Sequence, residues 1–418
     1  MLQHFFYSKH YLSYNIQWIT IIFKIENTNL NFLQKLKIEH LKILERKLFI
    51  KQLLAASGIT LFASQIHLLQ SCSTKKLGVA LVGLGSYSKD QLAPALLETK
   101  HSYLSAIVTG TKEKEEIWVN KYNIKKENVY NYTNFDTIVN NDDIDIVYIV
   151  LPNSMHAEFT IRAAKAGKHV ICEKPMATSV EDCQKMIDSC NKANVKLSIG
   201  YRLHFDPING YLMELGQNKV LGKMNTEAGF GFTLKNPKKW RLQKTLAGGG
   251  PLMDLGIYAL QAAIYMFGEL PISLWAKDTT KDIVFFNKQN IEGSLEWEMT
   301  FPSGKALCKT SYEEDFYCYI TATTEKGEIE LNPSFTYGGI KGKTPNGSIK
   351  IENVNQQALQ IDAFALNILN DTKSIVSGEM GLRDMYIIEK IYESANANSK
   401  EVFLDKIPNI LDLRKALN

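Results

Sequence analysis

The sequence predicts an α/β chain with two parts: a doubly wound parallel sheet first, then an α+β part whose sheet is predominantly antiparallel. Between Leu77 and Gly200, short apolar runs alternate with helical text, the spacing expected of βαβ units. The first of these runs passes directly into a glycine turn, Gly83-Leu84-Gly85. From about Tyr201 to Glu352 the text changes to short runs of alternating polarity separated by turn residues, and helical text returns at Gln357 to Leu369 and Gly381 to Asn396. The predicted division is residues 1–76 as an extension with a targeting signal, 77–200 as a nucleotide-binding domain and 201–418 as a second domain whose last helices pack back on the first.

The chain has 418 residues, 45% of them apolar and 22% charged, a globular balance that excludes disorder and collagen-like repeats. Its formal charge of +4 is unevenly placed. Eight basic and three acidic residues lie within residues 1–72, which leaves the rest at −1. A body so close to neutral gives nucleic acid no electrostatic footing. The six cysteines include no CxxC pair, and four histidines follow residue 72. This pattern points away from a His/Cys metal site and from a disulfide framework.

Arg46-Lys47-Leu48-Phe49-Ile50-Lys51 precedes a mostly apolar stretch, Gln52 to Leu69, and then Leu69-Gln70-Ser71-Cys72. A basic end, an apolar middle and a small residue before a cysteine read as an export signal. It resembles a twin-arginine signal with Lys47 in place of the second arginine. Cys72 stands where a lipoprotein would carry its anchor, so the expected location is periplasmic or membrane-anchored, and cytoplasmic if the signal does not operate. The alternative is an amphipathic helix packed on the body. Residues 1–45 lie upstream of anything a normal signal contains.

Leu77 to Val82 reads as a buried strand. Gly83 permits the tight turn after it, and Gly85 lacks the Cβ that would hold a pyrophosphate away from the backbone. Ser86 and Tyr87 continue the turn, and Ser88 stands where a third Gly or Ala is usual. A helix from about Asp90 to Lys100 would offer its first amides to that anion. A second strand, Ser105 to Thr109, ends in Thr109-Gly110-Thr111-Lys112 with no carboxylate at its tip. A carboxylate there would bond a ribose 2′-hydroxyl, whereas Thr and Lys suit a 2′-phosphate, so NADP is favoured and NAD stays open. Asp145 to Leu151 and His169 to Cys172 read as two further strands, separated by a helix from His156 to Ala166. Ligand groups are then expected at Gly83 to Ser86, Thr109 to Lys112, Pro152-Asn153-Ser154 and Glu173-Lys174-Pro175.

Glu173-Lys174-Pro175 sets a charged pair directly after a buried strand, and Pro175 allows a cis peptide that would aim Lys174 into the cleft. The tripeptide alone fits an ordinary surface lysine better. Downstream, Gly248-Gly249-Gly250-Pro251 opens a helix in which Asp254 and Tyr258 are four residues apart, hence on one face. A lysine facing a carboxylate and a phenol suits proton transfer at an alcohol oxygen, with Lys174 favouring the phenolate and Asp254 orienting the phenol. By spacing alone, Asp254 as a helix-start residue and Tyr258 as core fit equally well. The aromatics Phe230, Phe232, Trp275 and Trp297 read as sheet packing.

Three long stretches, Leu151 to Phe159, Gly167 to Val180 and Gly200 to Pro207, resemble the Gfo/Idh/MocA oxidoreductases, and within them the glucose-fructose oxidoreductase group. Lys239-Trp240-Arg241-Leu242 and Gly248 to Tyr258 extend the resemblance, which covers about Leu77 to Leu404. It implies a Rossmann-type first domain and an open-faced sheet in the second, with homo-oligomers as dimer or tetramer. It also implies a catalytic Lys174, Glu173 near the nicotinamide ribose, Tyr258 as proton donor and Asp254 as its acidic partner. Cofactor contacts are implied at Leu151, Pro152, Asn153 and His156, and at Thr109, Thr111 and Lys112 around the ribose phosphate. Arg202, Trp240 and Arg241 fall in substrate-pocket segments and are implied as cofactor contacts too. The implied reaction moves a hydride between a sugar or polyol and a nicotinamide, with no metal and with a tightly held cofactor. The alternatives are a xylose-type or dihydrodiol dehydrogenase that releases its cofactor, and an NAD-assisted glycoside hydrolase.

Overall fold

The computed structural model describes residues 75–408; the export segment, Cys72 and the upstream extension lie outside the described residues. The first sheet is built on β1 (Leu77–Val82), six residues that are all buried. A strand buried on both faces must pair on both edges, and β1 runs parallel to β2 (Ser102–Val108) on one side and to β4 (Ile146–Ile149) on the other. With β3 (Val129–Tyr130), β5 (His169–Cys172) and β6 (Leu197–Ile199) the order is β3-β2-β1-β4-β5-β6. The order reverses between β1 and β4, which opens a crevice at the carboxyl ends of the strands.

The crossovers are helical. A wide turn at Ser88–Leu92 leads into α1 (Ala93–Glu98), followed by α2 (Lys112–Tyr122), α3 (His156–Lys165) and α4 (Val180–Lys192). Ser179 caps α4 by accepting the Asp182 N–H, satisfying one of the amides left open at a helix start. The helix predicted from Asp90 thus begins two residues earlier, and its first turn is a wide one.

The second sheet has nine strands. After α5 (Pro207–Gln217) come β7 (Met224–Gly231), the short α6 (Lys244–Ala247), α7 (Ile257–Phe267), β8 (Ser273–Asp278), α8 (Ile283–Gln289), β9 (Ser294–Phe301), β10 (Gly304–Ser311), β11 (Tyr317–Thr324) and β12 (Gly327–Leu331). The small strands β13 (Gly342–Thr344), β14 (Gly347–Ser348) and β15 (Val402–Phe403) finish the edges, and α9 (Gln356–Leu369) and α10 (Gly378–Asn396) complete the chain. The order is β14-β13-β12-β11-β7-β10-β9-β8-β15. Its pairings are antiparallel apart from β7 with β10, which is parallel. The long excursion through α7 and β9 gives the chain the length a parallel return needs. In β9 the residues Leu295, Trp297, Met299 and Phe301 are buried while Glu296, Glu298 and Thr300 are half-buried, so a single face carries the core. All eleven residues of α7 are buried, which fits a helix sandwiched between the sheet and its other neighbours.

The two parts share one body. Ile361, Phe364 and Ala365 of α9 join Leu81 and Ile107 of the first sheet, and Leu92 and Leu96 of its first crossover, in one apolar cluster. The Asp362 carboxylate accepts the Lys100 and His101 amides, each at 2.8 Å. Phe364 is 1% exposed, and Phe364→Ala is expected to lower stability by about 3–5 kcal/mol. Urea denaturation followed by circular dichroism measures this, and a loss below about 1 kcal/mol would mean that α9 is not integral to the body.

Candidate active site

The carboxyl ends of the first sheet converge as the sequence predicts. Gly83 adopts φ 94°, and a Cβ there would sit 2.6 Å from the Val150 carbonyl oxygen, so glycine is required both by conformation and by the close approach to β4. Gly85 has no heavy atom within 4 Å of where a Cβ would be; its backbone faces open space. Ser88, fully buried, donates its hydroxyl to the Gly83 carbonyl at 2.6 Å. That bond closes the turn and explains why a serine serves at the usual glycine position. Ser86 is exposed and Tyr87 half-buried. Lys114, which sequence reasoning missed, donates from α2 to the Leu84 carbonyl at 2.8 Å.

At the end of β2, the buried Thr109 hydroxyl oxygen accepts the Thr111 N–H at 3.1 Å, while Thr111 and Lys112 are exposed at the start of α2. At the end of β4, Leu151 underlies Gly83 and Pro152 is half-buried. Asn153 donates to the Ala247 carbonyl at 2.8 Å, and the ring nitrogens of His156 lie 2.9 Å from the Leu151 and Pro175 carbonyl oxygens. Burial pushes the His156 pKa down, which favours a neutral ring. The Asn153 amide and the His156 ring thus brace the cleft wall against main chain, the neutral ring donating to one of its two carbonyl neighbours.

The Lys174–Pro175 peptide is cis. Lys174 Nζ donates to the Asp254 main-chain oxygen at 2.6 Å and to its Oδ1 at 3.3 Å, and lies 4.8 Å from the centre of the Tyr258 ring. The three residues named from sequence thus meet, but one role changes. Asp254 was expected to orient the Tyr258 phenol; instead its Oδ2 accepts from Arg241 Nε and from the Tyr312 hydroxyl, both at 2.9 Å. With its oxygens taken up in this way, Asp254 fixes Lys174. Burial alone would raise the Asp254 pKa, but Arg241 and Lys174 outweigh it and hold the carboxyl at about 2.

Tyr258 is held from other directions. Arg202, 3% exposed, lies 5.2 Å from its ring centre. The Phe335 ring stacks on it at 5.7 Å, and Phe230 meets it edge-on at 5.6 Å. Phe230, read from sequence as sheet packing, thus also forms one wall of the site. Trp240 lies against the Arg241 guanidinium at 4.6 Å.

Glu173 is buried and accepts the Tyr148 hydroxyl at 2.7 Å; the Gln360 amide of α9 donates to that hydroxyl at 3.0 Å. Burial raises the Glu173 pKa. Glu292, also missed, accepts the Gly250 and Leu252 amides at 3.0 and 3.1 Å and the Tyr392 hydroxyl at 2.9 Å. It pins the glycine turn that presents Asp254. Neither Glu292 nor Tyr312 lies in any motif, so only contact reveals them.

Residues 77–201 match the oxidoreductase family with an NAD-binding Rossmann fold, and residues 212–329 match the GFO/IDH/MocA C-terminal domain. The chain belongs to the GFO/IDH/MocA oxidoreductases. Among its relatives, an aldose-aldose oxidoreductase from Caulobacter crescentus, solved with glycerol, is 39% identical, with a TM-score of 0.76 over 79% of this chain and 100% of that one. A D-xylose 1-dehydrogenase (NADP+) of Haloarcula marismortui is 25% identical over 79% of this chain and 94% of its own length. A D-glucoside 3-dehydrogenase of Escherichia coli is 26% identical over 61% of this chain and 78% of its own length.

This GFO/IDH/MocA protein is an NAD(P)-dependent oxidoreductase, and its residues fit that cofactor. The open backbone at Gly85 is a cradle that a Cβ would narrow, and it lies at the switch point between β1 and β4. Gly83, Gly85, Ser86 and Tyr87 would hold the pyrophosphate, Thr109, Thr111 and Lys112 the adenosine ribose, and Glu173 and Lys174 the nicotinamide end.

Because the Asp254 pKa falls from its ordinary 3.8 to about 2, its carboxylate stabilises the fold above pH 3.8, and this contribution is lost as pH falls toward 2. Asp254→Asn is expected to lower stability at pH 7 by about 2 kcal/mol, less than for a fully buried pair because the Arg241 side chain is 40% exposed. Its stability should then decline less steeply between pH 4 and 2 than that of the unmodified chain. Acid titrations followed by circular dichroism compare the two.

Proposed function

We propose that this protein moves a hydride between a CH–OH carbon of a sugar or polyol and a nicotinamide, with NADP preferred. The observation that carries the reading is the Lys174 ammonium, locked on Asp254 and set against the Tyr258 ring at the end of β5. The bound nicotinamide supplies a site that accepts or gives one hydride. In the reducing direction the Tyr258 O–H gives its proton to the carbonyl oxygen; in the oxidising direction the phenolate oxygen takes the hydroxyl proton. Lys174 and Arg202 place two positive charges beside Tyr258, where negative charge develops on its oxygen during transfer. Asp254 keeps Lys174 in place, and Arg241 and Tyr312 keep Asp254 in place.

The relatives named for xylose, aldoses and glucosides support a sugar as substrate. The absence of a carboxylate at the β2 tip, where Thr109, Thr111 and Lys112 stand, supports NADP. A cofactor that stays bound and cycles between two sugars is the finer form of the proposal, supported by the relative named for transfer between aldoses. Export through residues 46–72, with attachment at Cys72, and assembly into a homo-oligomer belong to the same proposal.

Tyr258→Phe removes the transferable proton and keeps the ring, so kcat is expected to fall about 10²- to 10⁴-fold with cofactor affinity retained. Nicotinamide absorbance with D-glucose or D-xylose measures the rate, and fluorescence titration with NADPH measures the affinity. A Tyr258→Phe variant that turns over normally would remove Tyr258 from the reaction. Purified unmodified protein that gains nicotinamide absorbance on addition of sugar alone would support the bound-cofactor form.

A further inference from the structure

Between β12 and β13, residues 332–341 form a loop that reaches the catalytic cluster. Its base is closed by the Asn332 amide donating to the Lys341 carbonyl at 3.0 Å. The Ile340 amide donates to Asn353 Oδ1 at 2.9 Å, and the Asn353 amide donates back to the Ile340 carbonyl at 3.2 Å. On the inner side, Arg202 donates to the Phe335 and Thr336 carbonyls and to Gln356. Phe335 is fully buried against Tyr258.

Two residues beyond this plug, Tyr337 is 49% exposed. Its ring lies 4.5 Å from the Arg202 guanidinium and 5.7 Å from the ring of Tyr87 in the nucleotide loop. Gly338 and Gly339 follow with no heavy atom near a would-be Cβ, and Gly339 has φ 70°, so the tip turns away and leaves the tyrosine as its last large side chain. Several hydrogen bonds are thus used to hold a large, partly apolar ring half in solvent against Arg202, the guanidinium that also lies against Tyr258. An exposed aromatic held that firmly next to a reaction centre is suited to stacking.

We propose that Tyr337 is a specificity residue for the reaction above, its exposed ring forming the wall on which the apolar face of a cyclic sugar stacks. The inference rests on the sugar reading. A pyranose carries C–H bonds on one face, which suit the negative face of an aromatic ring, and hydroxyls on its rim, one of which can reach the Tyr258 oxygen. An open-chain polyol has no such flat face and gains little from the wall. Tyr337 belongs to the second part of the chain and shares the Arg202 guanidinium with Tyr258, while its other ring neighbour is Tyr87 of the nucleotide loop. Because Tyr337 also neighbours Tyr87 of the nucleotide loop, the NADPH affinity of its variants is what separates a wall for substrate from a contact to cofactor. Tyr87 limits the cleft on the nucleotide side.

The test uses the full chain loaded with NADP, with Tyr337→Ala and Tyr337→Phe, and with D-glucose and sorbitol as probes. Binding is read by calorimetry and turnover by absorbance. Tyr337→Ala is expected to weaken D-glucose binding and raise its KM about tenfold, with kcat, sorbitol KM and NADPH affinity near those of the unmodified chain. Tyr337→Phe keeps the ring and should behave like the unmodified chain. Equal losses for glucose and sorbitol, a weakened hold on NADPH, or a Phe variant as impaired as the Ala variant would each overturn the wall. If D-glucose binds the unmodified chain without being turned over, the redox reading fails while calorimetry still decides the wall. D-glucose that neither binds nor turns over removes both.

Discussion

One ammonium group joins the two halves of this protein where its chemistry takes place. Lys174 leaves the first sheet at the end of β5 and donates to both the main chain and the carboxylate of Asp254, which belongs to the second half. The contact is costly to assemble, since an amine and a carboxylate must leave water together. The cost is met by enclosing Asp254 with two further donors, Arg241 and Tyr312, so that the carboxylate oxygens are both satisfied. A charge fixed in this way does not reorganise when negative charge develops beside it, the condition under which electrostatic stabilisation is most effective.

The surroundings act to hold that contact in register. Glu292 secures the glycine turn before α7 by taking two of its amides, so the backbone that carries Asp254 and Tyr258 cannot drift. Asn153 ties the end of β4 to Ala247 just upstream of the same turn. The buried His156 ring packs between the Leu151 and Pro175 carbonyls, donating to one of them, and so spaces the end of β4 from the loop of Lys174. These side chains make few contacts with open space. Their effect is on the distance between the nucleotide cradle and the proton-transfer groups, and small errors in such a distance are expensive in rate.

The helix α9 adds a second tie. It packs Phe364 and its neighbours on the first sheet and extends Gln360 to the Tyr148 hydroxyl, which in turn donates to Glu173. A carboxylate buried this far gains from each donor it can find. The late part of the chain therefore finishes the core of the early part and its site together, and neither half is complete without the other.

The sequence by itself determined the local matters. Five apolar residues around Gly78, followed by Gly83 and Gly85, can form little other than a buried strand and a tight turn, and the alternation in Ser294 to Phe301 settles which side of the second sheet is covered. The strand ends, and with them Lys174, Asp254 and Tyr258, were legible because their motifs are continuous in the chain. Tertiary structure alone decided what these residues touch. The partnership of Asp254 with Arg241 and Tyr312, rather than with Tyr258, depends on side chains up to 58 residues away. Glu292, Tyr148 and Gln360 stand in no motif. Tyr337 lies in a loop whose approach to Tyr87 spans 250 positions of sequence. Short-range periodicity reports burial and backbone form, whereas a catalytic geometry is made from contacts between distant segments, and those exist only once the sheets have packed.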